Sequence, residues 1–169
     1  MGKEKKAAKE PKEHKEPKDE KDEKTVVPYD AKAALVSVIA KPLASEKLCK
    51  SVLKLTKKAS KRKSIRRGVK EVVKALRKNA KGIVVLAGDI SPVDVLTHIP
   101  VICEDHGIPY IYVPSKEDLG AAALSKRPTS CMLVLPEPPK GVTDKEEQKE
   151  YQKDYDEAEK KIRAVMPVF

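Results

Sequence analysis

Apolar residues recur along this chain in two distinct rhythms. Leu48, Val52, Leu55 and Ala59 are spaced four, three and four apart, and Lys47, Lys50, Lys54, Lys57 and Lys58 fill the positions between them. This spacing predicts a helix with one buried face, opened by Ser45 as N-cap and ending near Lys61. Ile65 falls in a short crossing segment. A second helix opens on Gly68, with Val69, Val72, Val73, Leu76 and Ala80 as its buried stripe; Lys70, Glu71, Lys74 and Lys78 are forced outward, and Gly82 ends it.

The rhythm then changes. Ile83–Ala87, Tyr110–Val113 and Cys131–Leu135 are nearly unbroken apolar runs rich in strand-forming residues, which predicts strands covered on both faces. Between the first two lies PVDVLTHIPVICEDHG, where Pro100 is expected to break one helix at about Ile99 and open another that closes on Gly107. Between the second and third, Ser115 and Asp118 form a capping-box variant at the start of a helix over 115–124. Helices alternating with buried strands predict an α/β fold, a three-layer α/β/α sandwich around a mixed sheet of about four strands.

The ends read differently. Residues 1–24 are almost entirely Lys, Glu, Asp, Ala and Pro without apolar spacing, the signature of a disordered charged tail. Residues 25–44 carry small apolar residues and two prolines and read as an extended arm along the body. The α/β/α domain is assigned to 45–136. Residues 137–169 comprise a proline-rich connector and a C-terminal amphipathic helix, with a capping box at Thr143 and Glu146. Its stripe of Tyr151, Tyr155, Ala158, Ile162 and Val165 is expected to lie on the body, or on a partner if the body has no room.

Charge sharpens this picture. The chain nets +10, yet residues 45–81 alone net +13, while 82–136 net −3 and 137–169 net −2. One strongly basic segment on an acidic body is an electrostatic footprint for a polyanion. Within it, five basic residues (Lys61, Arg62, Lys63, Arg66 and Arg67) precede Gly68, and Lys70, Lys74 and Arg77 form one stripe after it. Free backbone N–H groups at a helix start attract phosphate, and flanking cations strengthen the attraction, so an RNA backbone is the expected ligand.

Other chemistry is sought without success. There is no G-x-G-x-x-G after the first strand, no phosphate-loop signature and no nucleophile elbow. Cys49, Cys103 and Cys131 are widely separated in apolar surroundings and read as reduced thiols of an intracellular protein. Cys103 and His106 are three apart, but the run VIC makes Cys103 a buried structural residue. His98 reads as a partly buried, hydrogen-bonded histidine, and Asp89 and Asp94 as turn or cap residues. No Cys or His pair has zinc-ligand spacing, no apolar run approaches the roughly 20 residues of a membrane span, and the basic start is not followed by a signal-peptide core. The expectation is a non-catalytic protein with no cofactor, no metal, no membrane partner and no small-molecule substrate.

Gly68-Val-Lys-Glu71-Val-Val-Lys74 resembles the G-x-N-E-x-x-K signature of the kink-turn RNA-binding family, the L-seven-Ae ribosomal proteins. The resemblance continues through LAGDISP (86–92), HIPVICEDHGIPYIYVPSKEDLGAA (98–122) and KRPTS (126–130), and the wording is most like the H/ACA branch of that family. It implies a nuclear, nucleolar RNA-binding subunit that positions guide RNA for pseudouridylation of ribosomal RNA, with spliceosomal RNA as a further class, and supports ribosome biogenesis. Implied partners are H/ACA guide RNA, a dyskerin-type pseudouridine synthase and the other small H/ACA core proteins. A ribosomal or box C/D kink-turn protein is the alternative in the same fold, and a small nucleotide-using enzyme the remote one.

The resemblance also implies the contact residues. Gly68 gives close backbone approach, Glu71 accepts from a guanine edge, Lys74 neutralises phosphate, Val95 touches an extruded base, Lys116 supplies a cation and Arg127 lies in the closing loop; the charge around Gly68, independently of the resemblance, adds Arg66, Arg67 and Lys70 to the expected RNA contacts. Lys70 replaces the family's Asn and Ser91 stands where many members are acidic, which predicts weakened kink-turn specificity. Protein partners are expected around Ser115–Ala123, where Gly120, Ala121, Ala122 and Ala123 are small, and at the Gly88–Pro92 turn.

If phosphates dominate the affinity, four or five contacts from 61–78 give a log–log salt slope of about −3 to −4. A filter-binding titration over salt measures it, and a near-flat line would rule the expectation out.

Overall fold

Four strands form one mixed sheet in the order β1-β4-β2-β3. They are seen in a computed structural model that describes residues 28–137 and 145–166. The chain runs α1 (Tyr29–Ala33), α2 (Glu46–Lys61), β1 (Ile65–Arg67), α3 (Val69–Leu76), β2 (Ile83–Ala87), α4 (Asp94–Asp105), β3 (Tyr110–Val113), α5 (Lys116–Ala122), β4 (Cys131–Val134) and α6 (Lys145–Val165). β2 and β3 are parallel, with Val84 opposite Tyr110 and Ala87 opposite Val113. β4 runs antiparallel to both β2 and β1.

Because successive strand residues point to opposite faces, each strand feeds two cores. On one face Ile83, Val85, Ile111, Met132 and Val134 pack against Leu48, Val52, Leu55 and Ala59 of α2, Leu119 of α5, and Tyr151, Tyr155 and Ile162 of α6. On the other, Val84, Leu86, Tyr110, Tyr112 and Leu133 pack against Val72 and Leu76 of α3 and Leu96, Ile99 and Cys103 of α4. This is the three-layer sandwich that unbroken apolar strands require. Among the described residues no helix is long and apolar enough to cross a membrane.

Local departures from the expected elements have physical causes. The arm is not extended throughout: Tyr29–Ala33 is a short helix, and Leu43 then forms a parallel bridge to Tyr112 on the outer edge of β3. Ile65 belongs to a three-residue edge strand, because pairing with Val134 satisfies backbone groups that a crossing segment would leave open. Pro100 does not divide α4, which is continuous from Asp94 to Asp105. Leu96, Ile99 and Cys103 are each buried against the same sheet face, and this packing outweighs the one hydrogen bond that proline removes. The charged tail, most of the PEPPKG connector and the Thr143–Glu146 capping box lie outside the described residues or side chains.

The C-terminal stripe lies on the body. Tyr151, Tyr155, Ala158 and Ile162 are buried, and the Tyr151 hydroxyl donates to the Leu135 carbonyl at 2.7 Å; Val165 is exposed. The three thiols are free and buried, and desolvation pushes Cys49 and Cys131 up to about 11 and Cys103 up to about 12. Thiols so protonated at neutral pH make poor nucleophiles. His98 is exposed, a correction to the expected partial burial, since Leu96 and Ile99 take the buried positions on either side of it.

Helix ends follow one rule that the sequence disguises. α2, α3, α4 and α5 each close with a 6→1 and a 5→2 backbone hydrogen bond, the Schellman arrangement, as in Ile108 N–H to Cys103 carbonyl and Gly107 N–H to Glu104 carbonyl. The left-handed residue is Gly107 only in α4 (φ 64°); elsewhere it is Lys63 (φ 57°), Asn79 (φ 56°) and Leu124 (φ 55°). α3 therefore stops before Asn79, well short of Gly82. A non-glycine residue in this region costs about 1 kcal/mol or more. Lys63→Gly or Leu124→Gly is thus expected to raise stability by roughly 0.5–1 kcal/mol in urea unfolding, and Gly107→Ala to lower it by a similar amount.

Candidate nucleic-acid interface

β1, β2 and β3 point the same way, and β4 opposes them, so the carboxyl ends of three strands and the start of the fourth lie at one end of the sheet. A chain of backbone bonds knits that end together. Gly68 N–H donates to Cys131 carbonyl at 3.0 Å, Ala87 N–H to Ser130 carbonyl at 2.8 Å, Gly88 N–H to Val113 carbonyl at 2.8 Å, and Thr129 N–H to Lys116 carbonyl at 3.1 Å. Asp89 Oδ1 accepts from Lys116 N–H at 2.9 Å, which ties the loop after β2 to the start of α5.

This places Arg66, Arg67, Gly68, Lys70, Glu71, Val95, Lys116 and Arg127 around one end of the molecule. Arg66 and Arg67 leave β1 on opposite faces, as neighbours on a strand must. Lys70 and Lys74 are one turn apart on exposed α3 positions, and Arg77 continues the row at its C-cap. Lys74 thus lies roughly 9 Å along the helix from Gly68, one turn deeper than the rest. Val95 is 38% exposed in the first turn of α4.

Gly68 has φ 89°, a value that favours glycine, and a Cβ built there would meet nothing within 4 Å. The space in front of it is open. No side chain caps α3, so its first backbone N–H groups face outward with the positive end of the helix dipole behind them. α5 differs, because Ser115 Oγ accepts from Glu117 N–H at 3.2 Å and Asp118 N–H at 3.4 Å. Asp118 does not return the bond as a capping box would; it pairs with Lys32 Nζ of the arm at 2.6 Å.

The basic segment is divided by the fold. The Arg62 guanidinium lies over the Tyr151 ring, 4.8 Å from its centroid, so it is committed to α6 and away from the Gly68 end. Lys58 bonds Asp154 at 2.6 Å and Glu150 at 2.8 Å, and these bonds raise its ammonium above the ordinary lysine range. Arg66, Arg67, Lys70, Lys74 and Arg77 form no ion pair among the described residues. Their charge is available to a ligand.

Small residues near the site have intramolecular explanations. A Cβ on Gly120 would sit 2.4 Å from the Arg127 carbonyl, and Ala122 and Ala123 are buried. A Cβ on Gly88 would meet Val36 Cγ1 at 2.7 Å, because the arm crosses there and Ser37 N–H donates to the Gly88 carbonyl at 2.8 Å. Gly88, Gly120, Ala122 and Ala123 are thus occupied by contacts within the chain, whereas Ser91, Pro92, Glu117 and Ala121 on the same surface are exposed. Asp89, read from the sequence as a turn or cap residue, accepts from the first N–H of α5 and so sets the position of Lys116; that it serves α5 and not its own neighbours is what the sequence did not show.

Asp89→Ala removes an anion and a brace but no cation. It is expected to lower stability by about 1–2 kcal/mol and to weaken RNA binding with an unchanged salt slope. Lys116→Ala should make the slope shallower by roughly 0.7–0.9. Urea unfolding and salt-dependent binding of both variants provide the check.

Comparison with known proteins gives concordant results. The profile of the ribosomal protein L7Ae/L30e/S12e/Gadd45 family matches residues 50–140. An H/ACA ribonucleoprotein complex subunit 2-like protein of Arabidopsis thaliana is 48% identical over 131 residues, covering 78% of this chain and 84% of that one. The subunit 2-like protein of Xenopus tropicalis is 51% identical over 137 residues, covering 81% and 85%. Among solved structures, the Giardia lamblia 15.5kD RNA binding protein superposes with a TM-score of 0.66 at 28% identity, covering 78% of this chain and all of that one.

Proposed function

Because the chain belongs to the ribosomal protein L7Ae/L30e/S12e/Gadd45 family, we propose that it works as an RNA-binding subunit of an H/ACA ribonucleoprotein. The observation that carries this reading is the uncapped start of α3 beneath an open Gly68, flanked by uncommitted Arg66, Arg67, Lys70 and Lys74. Identity of about half over four-fifths of the chain to proteins named as H/ACA subunit 2-like supports the choice of particle. Phosphates of the RNA dock on the helix start and its cations, which fix orientation without reading sequence. Glu71, exposed in the first turn, is positioned to accept from a base edge that reaches past Gly68.

In finer detail, the RNA is an H/ACA guide RNA and the chemistry, conversion of uridine to pseudouridine, belongs to a dyskerin-type synthase partner with the other small core proteins. We read the chain itself as non-catalytic, a reading supported by its buried, protonated thiols and by the exposure of His98 and His106. On this reading the chain works where ribosomal RNA is modified, in the nucleus and nucleolus. Box C/D or ribosomal kink-turn binding fits less well, since Lys70 exchanges the directional amide of Asn for a point charge. Mass spectrometry of the affinity-purified complex decides between them: a pseudouridine synthase supports this reading, and methyltransferase or ribosomal partners overturn it.

Two substitutions separate charge from recognition. Lys74→Ala should weaken all RNAs alike and reduce the salt slope by about one unit. Lys70→Asn should raise the preference for a kink-turn over a plain hairpin of equal length. Competition binding with the two RNAs measures that preference, and no movement in it would refute the account of Lys70.

A further inference from the structure

Lys50, Lys54, Lys57 and Lys61 stand four, three and four apart on α2, all exposed, in one row opposite its buried stripe, with Lys54 and Lys61 at the rim of the grooves that α2 shares with α6. At 1.5 Å per residue the row is about 16 Å long. We infer that this face of α2 is a second RNA-contact surface, a rail that holds the phosphate backbone of a double-stranded stem extending from the element bound at Gly68. The inference rests on the RNA-binding reading above and adds a second site to it.

The direction of α2 brings one end of the row to the same end of the sheet as the first site, on the β3 side. Ala44, just before α2, donates its N–H to the Tyr112 carbonyl at 2.8 Å, one residue from the carboxyl end of β3. Ser64, just after α2, accepts from Leu135 N–H at 2.8 Å, beyond the far end of β4. The helix therefore starts at the Gly68 end of the sheet and runs to the opposite end. β1, with Arg66 and Arg67, lies between α2 on one face and α3 on the other.

A solvated helix face needs no such charge pattern, and the same chain supplies the comparison. On α6 exposed acids and bases alternate and pair at i,i+4, as in Glu157 with Lys161 and Glu159 with Arg163. On α2 the only acid is Glu46, paired with Lys50 at 2.6 Å at the first turn. Lys54, Lys57 and Lys61 face like charges at i,i+3 and i,i+4, an arrangement that costs a helix a few tenths of a kcal/mol per pair. The acids of α6 neutralise Lys58, which faces them, and none of the ion pairs among the described residues involves Lys54, Lys57 or Lys61. The row's field is thus preserved, and an anionic partner is what relieves it.

The chemistry of the row selects the form of that partner. α2 carries no aromatic residue on which single-stranded bases would stack. Lysine ammonium groups on flexible stems are point charges suited to phosphates and not to base edges. A straight row of them matches the regular backbone of a stem.

The test uses one internal-loop hairpin in a short-stem form and a form lengthened by about one helical turn, bound to the full chain across a range of salt. The wild type is expected to bind the long stem on the order of tenfold more tightly at low salt, with a slope steeper by roughly 3 for four added phosphates. Lys50→Gln/Lys54→Gln/Lys57→Gln/Lys61→Gln should bind both forms as the wild type binds the short one, and the matching four-arginine variant should restore the difference. Lys74→Ala should weaken both forms and keep the difference between them. Equal binding of both stems by the wild type, or a glutamine variant that retains the long-stem gain at an unchanged melting temperature, overturns the rail alone. Failure of the wild type to bind the short form with any salt dependence overturns the RNA-binding reading itself, and the rail with it.

Discussion

The hydrogen bond from Gly68 N–H to the Cys131 carbonyl pins the start of α3 to the first residue of β4. It forms only because β4 runs antiparallel between β1 and β2. Were β4 parallel, its first residue would lie at the other end of the sheet, with Lys126 and Arg127 beside it. As built, the glycine, the loop after β2, the start of α5 and the loop before β4 are held at one end by direct bonds between main-chain groups. Side-chain variation there changes what the end recognises without dismantling it.

Charge is distributed by the same architecture. α6 lays Glu150 and Asp154 against Lys58 and its Tyr151 ring beneath Arg62, so the cations nearest the C-terminal helix serve cohesion. The cations of β1 and α3 have no such ion-pair partners among the described residues. Exposed pairs like these contribute little stability individually; their larger effect is to decide where positive potential remains. The outcome is a molecule whose basic surface wraps the β1 edge, while the opposite edge of the sheet is covered by the arm through Leu43 and Tyr112.

The arm illustrates a constraint that no local pattern announces. Its residues 25–44 lack a helical or strand period, yet Val36 fills the space that Gly88 leaves and Lys32 holds Asp118. Three exposed apolar residues, Leu35, Val38 and Ile39, are the consequence of a strap that is anchored by its intervening positions. Because the strap crosses the loop after β2, it stiffens the ground on which Asp89 positions Lys116.

The apolar pattern alone established the three buried strands, the two amphipathic helices within the basic segment and the C-terminal stripe, because burial imposes its own arrangement on apolar residues whatever the topology. Charge counting located the basic segment, and the G-x-x-E-x-x-K spacing marked the turn of helix that carries it. Tertiary structure decided what depends on neighbours distant in sequence. It made Ile65–Arg67 an edge strand by giving it β4 as a partner, and it kept α4 whole through Pro100 by packing Leu96, Ile99 and Cys103 on one face. It closed helices on Lys63, Asn79 and Leu124, where a six-residue hydrogen-bonded turn compensates a backbone strain that residue type does not reveal. It also divided the basic segment, turning Arg62 toward Tyr151 and leaving Arg66, Arg67, Lys70 and Lys74 open. A sequence counts charges, but only the packing of one helix on another determines which of them are already neutralised.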